Sequence, residues 1–335
     1  MNVVKNGFII NPLNTVEEEA RQLYDYWKDK PFPNYSKENY NIIKEFNKLK
    51  SFDETTLLKD YEINQSMHTC GMLWTYFPHW VEVEFDGISL KNAWKNDEMK
   101  YQLFLKCCKY VLKHNKNNKL TYNRLRQNSK VYLTKQSVSN FRPTVAKLIY
   151  NLYGNKGVVY DMSCGYGGRL LGFLASDCKK YIGVDPCTKT YNGLLLLKND
   201  FEYIDKQVSI HNCGSEDFEL AKNSIDLAFT SPPYFDTEKY SKESTQSYIK
   251  FPTCELWLND FLGKTIENCK YGLKDDGHLI INIANVKTYP NLENEAVEII
   301  TEKGFRLVDI YNMVLSSIAG KGKKYEPIFV FKKKF

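Results

Sequence analysis

Four consecutive residues, Ser231-Pro232-Pro233-Tyr234, gather the groups that a planar heterocycle with an exocyclic amino group requires. Two prolines fix two φ angles and remove two N–H donors, so the segment is expected to form a stiff, extended hook. Its backbone carbonyls and the Ser231 hydroxyl can accept hydrogen bonds, while Tyr234 offers a flat π face. An aromatic amine is a poor nucleophile because its lone pair is conjugated with the ring. Holding both amino protons on fixed acceptors favours a pyramidal nitrogen and frees that lone pair for in-line attack on a methyl donor. Positioning and pre-oriented dipoles then supply much of the rate.

The elements that position such a hook are legible around it. Ile225 to Phe229 is a short apolar run of the kind found in buried parallel strands. Further upstream, residues 157–160 form a second strand, followed by Asp161-Met162-Ser163-Cys164-Gly165-Tyr166-Gly167-Gly168 and an apolar helix through Ala175. Strand, glycine loop and helix open a βαβ nucleotide-binding unit. Its glycines allow the backbone a tight turn and a close approach to a ligand.

Tyr181 to Val184 is the next strand and ends at Asp185, 20 residues beyond Gly165. At that separation an acidic side chain reaches a ribose diol. A third strand, Val208 to His211, leads into Ser215-Glu216-Asp217-Phe218. Any of those three polar residues could hold an adenine edge, with Phe218 covering the ring. A dinucleotide would call for G-x-G-x-x-G and a helix N-terminus under a pyrophosphate. Here Asp161 stands at the loop entrance instead, which suits an ammonium. S-adenosyl-L-methionine, with an ammonium, a ribose and no phosphate, is the expected cofactor.

With these pieces in place, the chain resembles the S-adenosylmethionine-dependent DNA amino-methyltransferases, over roughly residues 137 to 335. The resemblance rests on Ser231 to Tyr234, on Asp161 to Gly168, on Ser139-Asn140-Phe141-Arg142-Pro143-Thr144 and on Tyr325 to Phe331. It implies an α/β fold: a Rossmann-like seven-stranded methyltransferase sheet with helices on both faces and a last antiparallel strand pair. It implies that Ser231 and the Pro232 carbonyl bind the target amino group and that Tyr234 stacks on an extruded base, with Pro233 completing the hook. Phe141, Arg142, Asp161, Cys164, Gly165, Gly167 and Asp185 would line the cofactor, with Ser215, Glu216 or Asp217 at its adenine. Serine in the first position leans toward cytosine N4, and adenine N6 is the alternative. A base inside a duplex must swing out to be reached. A cognate restriction endonuclease is a further partner that the resemblance implies.

Pro186-Cys187 looks like the nucleophile dipeptide of cytosine-C5 enzymes, but it follows the ribose strand, and a structural role is expected for Cys187. Nine cysteines without a C-x-x-C pair point to reduced thiols, and the five histidines show no metal-ligand spacing with them, so no metal is expected. No stretch approaches a membrane span. The expected setting is the cytoplasm of a bacterium or of a phage-infected host.

The net charge of +6 hides an asymmetry: residues 99–160 contain 13 Lys and Arg and no acid, leaving −7 for the remainder. Such a basic face supplies sequence-independent attraction to phosphates. Lys106, Lys109 and Lys113 fall on a predicted helix from Glu98 to His114, and Arg124, Arg126, Lys130 and Lys135 follow among tyrosines. Residues 1–136 are therefore read as a smaller, mainly helical domain that recognises the nucleic acid, and 137–335 as the methyltransferase domain. Within the smaller domain, Thr15 to Trp27 and Tyr40 to Lys50 are expected helices, and the aromatic run from Met72 to Phe85 a strand or packed loop. Two loops are expected to assist at the target: Phe235 to Pro252, as a lid over the base, and Ser316 to Tyr325 with its lysines. An RNA amino-methyltransferase and a catalytically silent nucleic-acid-binding subunit are the competing readings.

Overall fold

The apolar runs predicted as buried strands all enter one sheet. The computed structural model describes residues 2–134, 138–237, 239–315 and 324–334. In chain order the strands of the large sheet are β1 (Leu58–Lys59), β2 (Glu62–Ile63), β3 (Val158–Asp161), β4 (Lys180–Val184), β5 (Gln207–His211), β6 (Ile225–Thr230), β7 (Leu273–Asn282), β8 (Phe305–Leu315) and β9 (Lys324–Lys333). Their spatial order is β5-β4-β3-β6-β7-β9-β8-β2-β1. From β5 to β7 every pairing is parallel, and β9 runs antiparallel between β7 and β8. This is the Rossmann-like α/β arrangement expected of a methyltransferase sheet, with its closing antiparallel pair. All six residues of β6 are buried, as a central parallel strand covered by helices on both faces must be.

Among the described residues the expected seven strands, β3 to β9, are present, and the hairpin β1–β2 adds two more at one edge. The hairpin β1–β2 extends the free edge of β8, pairing Glu62 with Asn312 and Ile63 with Met313. An uncovered edge strand leaves unpaired backbone groups, and two short strands satisfy part of that row.

The chain divides into two compact units, Met1–Tyr35 with Pro78–Ser139, and Ser36–Phe77 with Asn140–Phe335. The expected single boundary at 136/137 therefore misplaces residues 36–77, which belong with the sheet. Phe46, on the helix Ile42–Lys50, packs its ring 4.8 Å from that of Phe201. Lys147 donates to the carbonyls of Lys50 (2.9 Å) and Phe52 (2.7 Å) and pairs with Glu54 at 2.8 Å. Tyr76 donates its hydroxyl to Asp200 at 2.6 Å. These partners lie far apart in sequence, beyond the reach of local pattern.

The first unit is mainly helical, with Val16–Trp27, Asp97–His114 and Tyr122–Tyr132 beside a three-stranded antiparallel sheet. A capping box starts the first helix: Thr15 accepts from the Glu18 amide while Glu18 reaches back to the Thr15 amide. The aromatic run forms neither a long strand nor a plain loop. It begins inside the helical turn Cys70–Leu73 of the second unit and, in the first unit, contains the helical turn Pro78–Glu82 and the short strand Glu84–Phe85. Trp80 is buried, its indole N–H donating to Asn34 at 2.8 Å, so it serves packing.

Candidate active site

The strand order turns at β3 and β6. Chain progression runs outward to β4 and β5 on one side and to β7 on the other. Ligands of open parallel sheets bind outside the carboxyl ends of strands at such a switch point. The glycine loop leaves the end of β3 and the Ser231-Pro232-Pro233-Tyr234 hook leaves the end of β6, its direct parallel neighbour (Ala228 opposite Tyr160). The two motifs therefore open from one sheet edge.

In the loop, Gly165 and Gly167 both have left-handed backbones, with φ of +53° and +72°. A Cβ on Gly165 would meet nothing closer than 3.9 Å, so conformation demands that glycine and open space lies over it. Gly167 is demanded by packing as well, because a Cβ there would lie 2.7 Å from Leu197 and 3.1 Å from Phe77. Asn140 clamps the same loop, accepting from the Gly168 amide at 3.1 Å and donating to the Tyr166 carbonyl at 2.6 Å. Phe141 packs against Phe229, and Arg142 donates to Gln65 (3.0 Å) and to the Asn140 carbonyl (2.7 Å), bracing the segment that carries the clamp.

Asp161 departs from its expected role at an ammonium. Its carboxylate is 0% exposed and accepts from Arg169 Nε at 3.1 and 2.9 Å, from the Tyr181 hydroxyl at 2.7 Å and from the Ser163 amide at 3.2 Å. Arg169 also donates to the Ser163 carbonyl. Burial works against the Arg169 charge, but the Asp161 carboxylate outweighs it and holds the guanidinium's pKa above its ordinary value. The pair is an internal brace for the loop. Cys164 is likewise internal: its thiol faces Tyr181, and burial drives its pKa well up.

Asp185 ends β4 as expected. It accepts from the Gly165 amide at 2.9 Å and from the Cys187 amide at 3.0 Å, so it spans the glycine loop and the start of the helix Thr188–Asp200. Burial pushes its carboxyl up to about 7, against the pull of the two amides. Cys187 is buried and contributes its backbone, consistent with a structural role. Past β5 the three candidates separate. Ser215 turns inward to the Thr265 hydroxyl at 2.7 Å. Asp217 points outward, 59% exposed. The Glu216 side chain is only 3% exposed and receives Lys250 Nζ at 2.8 Å on one oxygen. Phe218 lies parallel to Tyr160, ring centroids 5.7 Å apart, so one of its faces is already covered.

At the hook, Ser231 Oγ lies 3.3 Å from the Tyr234 hydroxyl. That hydroxyl donates to the main-chain carbonyl and the side-chain oxygen of Asn282 at 3.3 and 3.4 Å. Asn282 is buried at the end of β7 and donates its amide to the Pro327 carbonyl at 2.9 Å. Asn282 was not foreseen. Both Asn282 atoms that face the Tyr234 hydroxyl are oxygens, so the single tyrosine proton goes to Asn282. Ser231 must then donate to Tyr234, which leaves the serine lone pairs as acceptors for a substrate. Phe235 follows with φ +56°, a strained value for a bulky residue, and anchors the hook by burying its ring against Tyr289.

Among its described residues, the segment expected as a lid is tied at several points to neighbouring loops. Asp236 accepts from Thr288 at 2.6 Å, then Glu243 accepts from the Thr188 amide (3.1 Å) and hydroxyl (2.8 Å). Thr245 donates to the Pro186 carbonyl at 3.1 Å, and Lys250 reaches Glu216 and Asp217. The strap thus crosses from the end of β6 to the ends of β4 and β5. Residues 316–323 of the second expected loop lie outside the described residues.

Among the basic residues, Lys106, Lys109 and Lys113 are exposed on one stripe of Asp97–His114, with Lys106 over the Tyr132 ring. Arg124 is exposed over Tyr110. Arg126 and Lys130 turn to another face: Arg126 donates to the Pro33 carbonyl at 3.0 Å and covers Tyr35, and Lys130 covers Trp80. Their positions two and six residues from Arg124 rotate them away around the helix. Lys135 lies outside the described residues.

No family model and no curated protein matches the chain. Among solved structures, similar chains include a TehB-like SAM-dependent methyltransferase from Corynebacterium glutamicum (16% identity, 58% of this chain and 90% of that one, TM-score 0.39). Others are M. jannaschii TYW2 in complex with AdoMet (16%, 58% and 78%, 0.38) and the [4+2]-cyclase SpnF (11%, 57% and 81%, 0.42). Among the described residues no group of His, Cys, Asp and Glu could hold a metal ion, and no helix is long and apolar enough to cross a membrane.

Proposed function

We propose that the chain is an S-adenosylmethionine-dependent methyltransferase acting on the exocyclic amino group of a nucleobase in DNA, cytosine N4 in the first instance. The observation that carries this reading is the emergence of the acceptor hook and the glycine loop from adjacent parallel strands at the switch point of the sheet. The open space over Gly165 and a buried Glu216 oxygen without a hydrogen-bond partner fit the cofactor. Asp185 would hold its ribose and Glu216 its adenine. Bound there, the cofactor supplies an electrophilic methyl group on sulfur.

The chain's own residues do the rest. Ser231, oriented as an acceptor by the Tyr234–Asn282 chain, accepts a hydrogen bond from one amino N–H, and the Pro232 carbonyl accepts from the other. The Tyr234 ring, fixed at its hydroxyl, supports the extruded base. The lysine stripe on Asp97–His114, with Arg124, supplies the phosphate attraction.

Incubation with methyl-labelled cofactor and separate duplex DNA and RNA pools, followed by digestion to nucleosides, tests this. Label in N4-methylcytosine is expected; label confined to RNA overturns the DNA assignment, and label in N6-methyladenine overturns the base. Replacing Lys106, Lys109 and Lys113 together by Gln should reduce the salt dependence of DNA binding, log K against log[salt], by about 3. An unchanged slope would remove the stripe from the interface.

Asp185 gives a pH signature. Ribose hydroxyls donate best to the ionised carboxylate, and protonation sets in as pH falls through about 7. Affinity for S-adenosylhomocysteine should be level above that pH and fall below it, by up to about tenfold per unit. Asp185→Asn should bind weakly and flatten the profile in calorimetry. A profile of the unaltered protein that is level from pH 8 to 5.5 would count against Asp185 as the ribose ligand.

A further inference from the structure

Among the described residues, two buried polar groups stand without partners where the strap meets the strand ends. Glu216 receives Lys250 on one carboxylate oxygen, while its other oxygen, Oε2, is buried and accepts from nothing. Gln246 is 4% exposed, and its amide nitrogen, Nε2, donates to nothing. Buried polar groups in native folds are nearly always hydrogen-bonded, so each such exception calls for a reason.

Tethers on either side bring Gln246 between the ends of β4 and β5. Thr245 is held to the Pro186 carbonyl at 3.1 Å, one residue past Asp185. Lys250, whose amide donates to the Gln246 carbonyl at 2.9 Å, grips Glu216 at 2.8 Å. The Glu216 carboxylate itself folds back over Gly214, where a Cβ would lie 2.4 Å from Oε2. One acceptor and one donor are thus left over in the span from the ribose carboxylate to the end of β5.

We propose that Gln246 and Glu216 together read the Watson–Crick edge of the cofactor's adenine, Glu216 accepting from its 6-amino group and Gln246 donating to N1. The inference rests on the cofactor assignment above and adds to it a residue from the strap. An adenine edge offers a donor beside an acceptor, the complement of Oε2 and Nε2. Hypoxanthine offers the reverse, an acceptor at O6 and a donor at N1, and leaves both side chains facing like groups. Because the strap continues from the hook, a base-reading residue on it also ties closure over the cofactor to the strand that carries Ser231.

Calorimetry on the full chain with S-adenosylhomocysteine and its deaminated counterpart, S-inosylhomocysteine, tests the pairing without any turnover. The unaltered protein should prefer the adenine compound by about a hundredfold, two reversed hydrogen bonds at about tenfold each. Gln246→Ala should weaken the adenine compound about tenfold, with circular dichroism and melting temperature unchanged. The double exchange Glu216→Gln, Gln246→Glu keeps one carboxylate near Lys250 and inverts the pattern, so preference should shift toward the inosine compound. Equal binding of both compounds by the unaltered protein, or a Gln246→Ala protein that binds and discriminates like it, overturns the pairing alone. Binding of neither compound overturns the cofactor assignment as well.

Discussion

Asp161→Asn is expected to lower the unfolding free energy by about 3–5 kcal/mol, the usual cost of leaving one member of a buried ion pair without the other. The substitution keeps the shape of the side chain and changes its charge and one acceptor. Asp161 is fully buried and takes four hydrogen bonds, from Arg169, Tyr181 and Ser163. An amide has a single acceptor oxygen; with that oxygen toward Arg169, its NH2 would face the Tyr181 hydroxyl, whose donation to this position is lost. Arg169 would keep its buried charge with neutral oxygens, the amide's and the Ser163 carbonyl, in place of a carboxylate. Urea unfolding of the unaltered protein and of the Asp161→Asn variant measures the loss. The double variant Asp161→Asn, Arg169→Met removes the stranded cation and should recover most of it, since a buried pair is often replaceable by apolar volume. A single-variant loss below about 1 kcal/mol would show that the pair does not hold the glycine loop.

This role for Asp161 marks where sequence pattern stops being informative. The glycine loop, the strand before it and Asp185 are all readable, because each is a local signature: φ-demanding glycines, an apolar run and a carboxylate at a fixed separation. Whether Asp161 faces a ligand or the interior depends on Arg169, directly after the last glycine, and on Tyr181 on the next strand. Neither residue carries a signature of its own, although an arginine opening an otherwise apolar helix was a usable hint of a buried partner. The same holds at the hook. Ser231 to Tyr234 is legible as a rigid set of acceptors, yet the residue that orients it, Asn282, is one polar side chain at the end of an apolar strand.

Long-range assembly was the least legible part. Residues 36–77 join the sheet unit through contacts such as Phe46 to Phe201 and Lys147 to the carbonyls of Lys50 and Phe52. Strands of two residues, such as Leu58–Lys59 and Glu62–Ile63, have no period to detect. The basic helices show the opposite error: a charge count cannot distinguish Arg124, on the exposed face, from Arg126, whose guanidinium is taken by Pro33.

The hook yields the second large effect. Ser231→Ala should reduce single-turnover methyl transfer by about 10²–10³-fold, the range found when one pre-oriented hydrogen-bonding group is removed from a site of charge development. Cofactor affinity should change little, because Ser231 stands at the end of β6 and the proposed cofactor contacts lie past β3, β4 and β5 and on the strap. Tyr234→Phe separates the two tasks assigned to that residue. The ring face remains, but Ser231 loses the acceptor for its proton (3.3 Å away), and that proton becomes free to point at the substrate amine. A hydroxyl that donates where it should accept loses much of the benefit, so a fall of about tenfold or more is expected, with base stacking retained. In the double variant the tyrosine hydroxyl has no serine left to orient. Its loss should therefore approach that of Ser231→Ala alone rather than the product of the two, which is how residues acting as one unit behave. Asn282→Ala should cost less than Tyr234→Phe, since it removes the side-chain oxygen at 3.4 Å but leaves the main-chain carbonyl at 3.3 Å to hold the tyrosine proton. Strictly multiplicative losses would mean that Tyr234 acts on the base by itself, and the directed chain from Ser231 through Tyr234 to Asn282 would then have no part in catalysis.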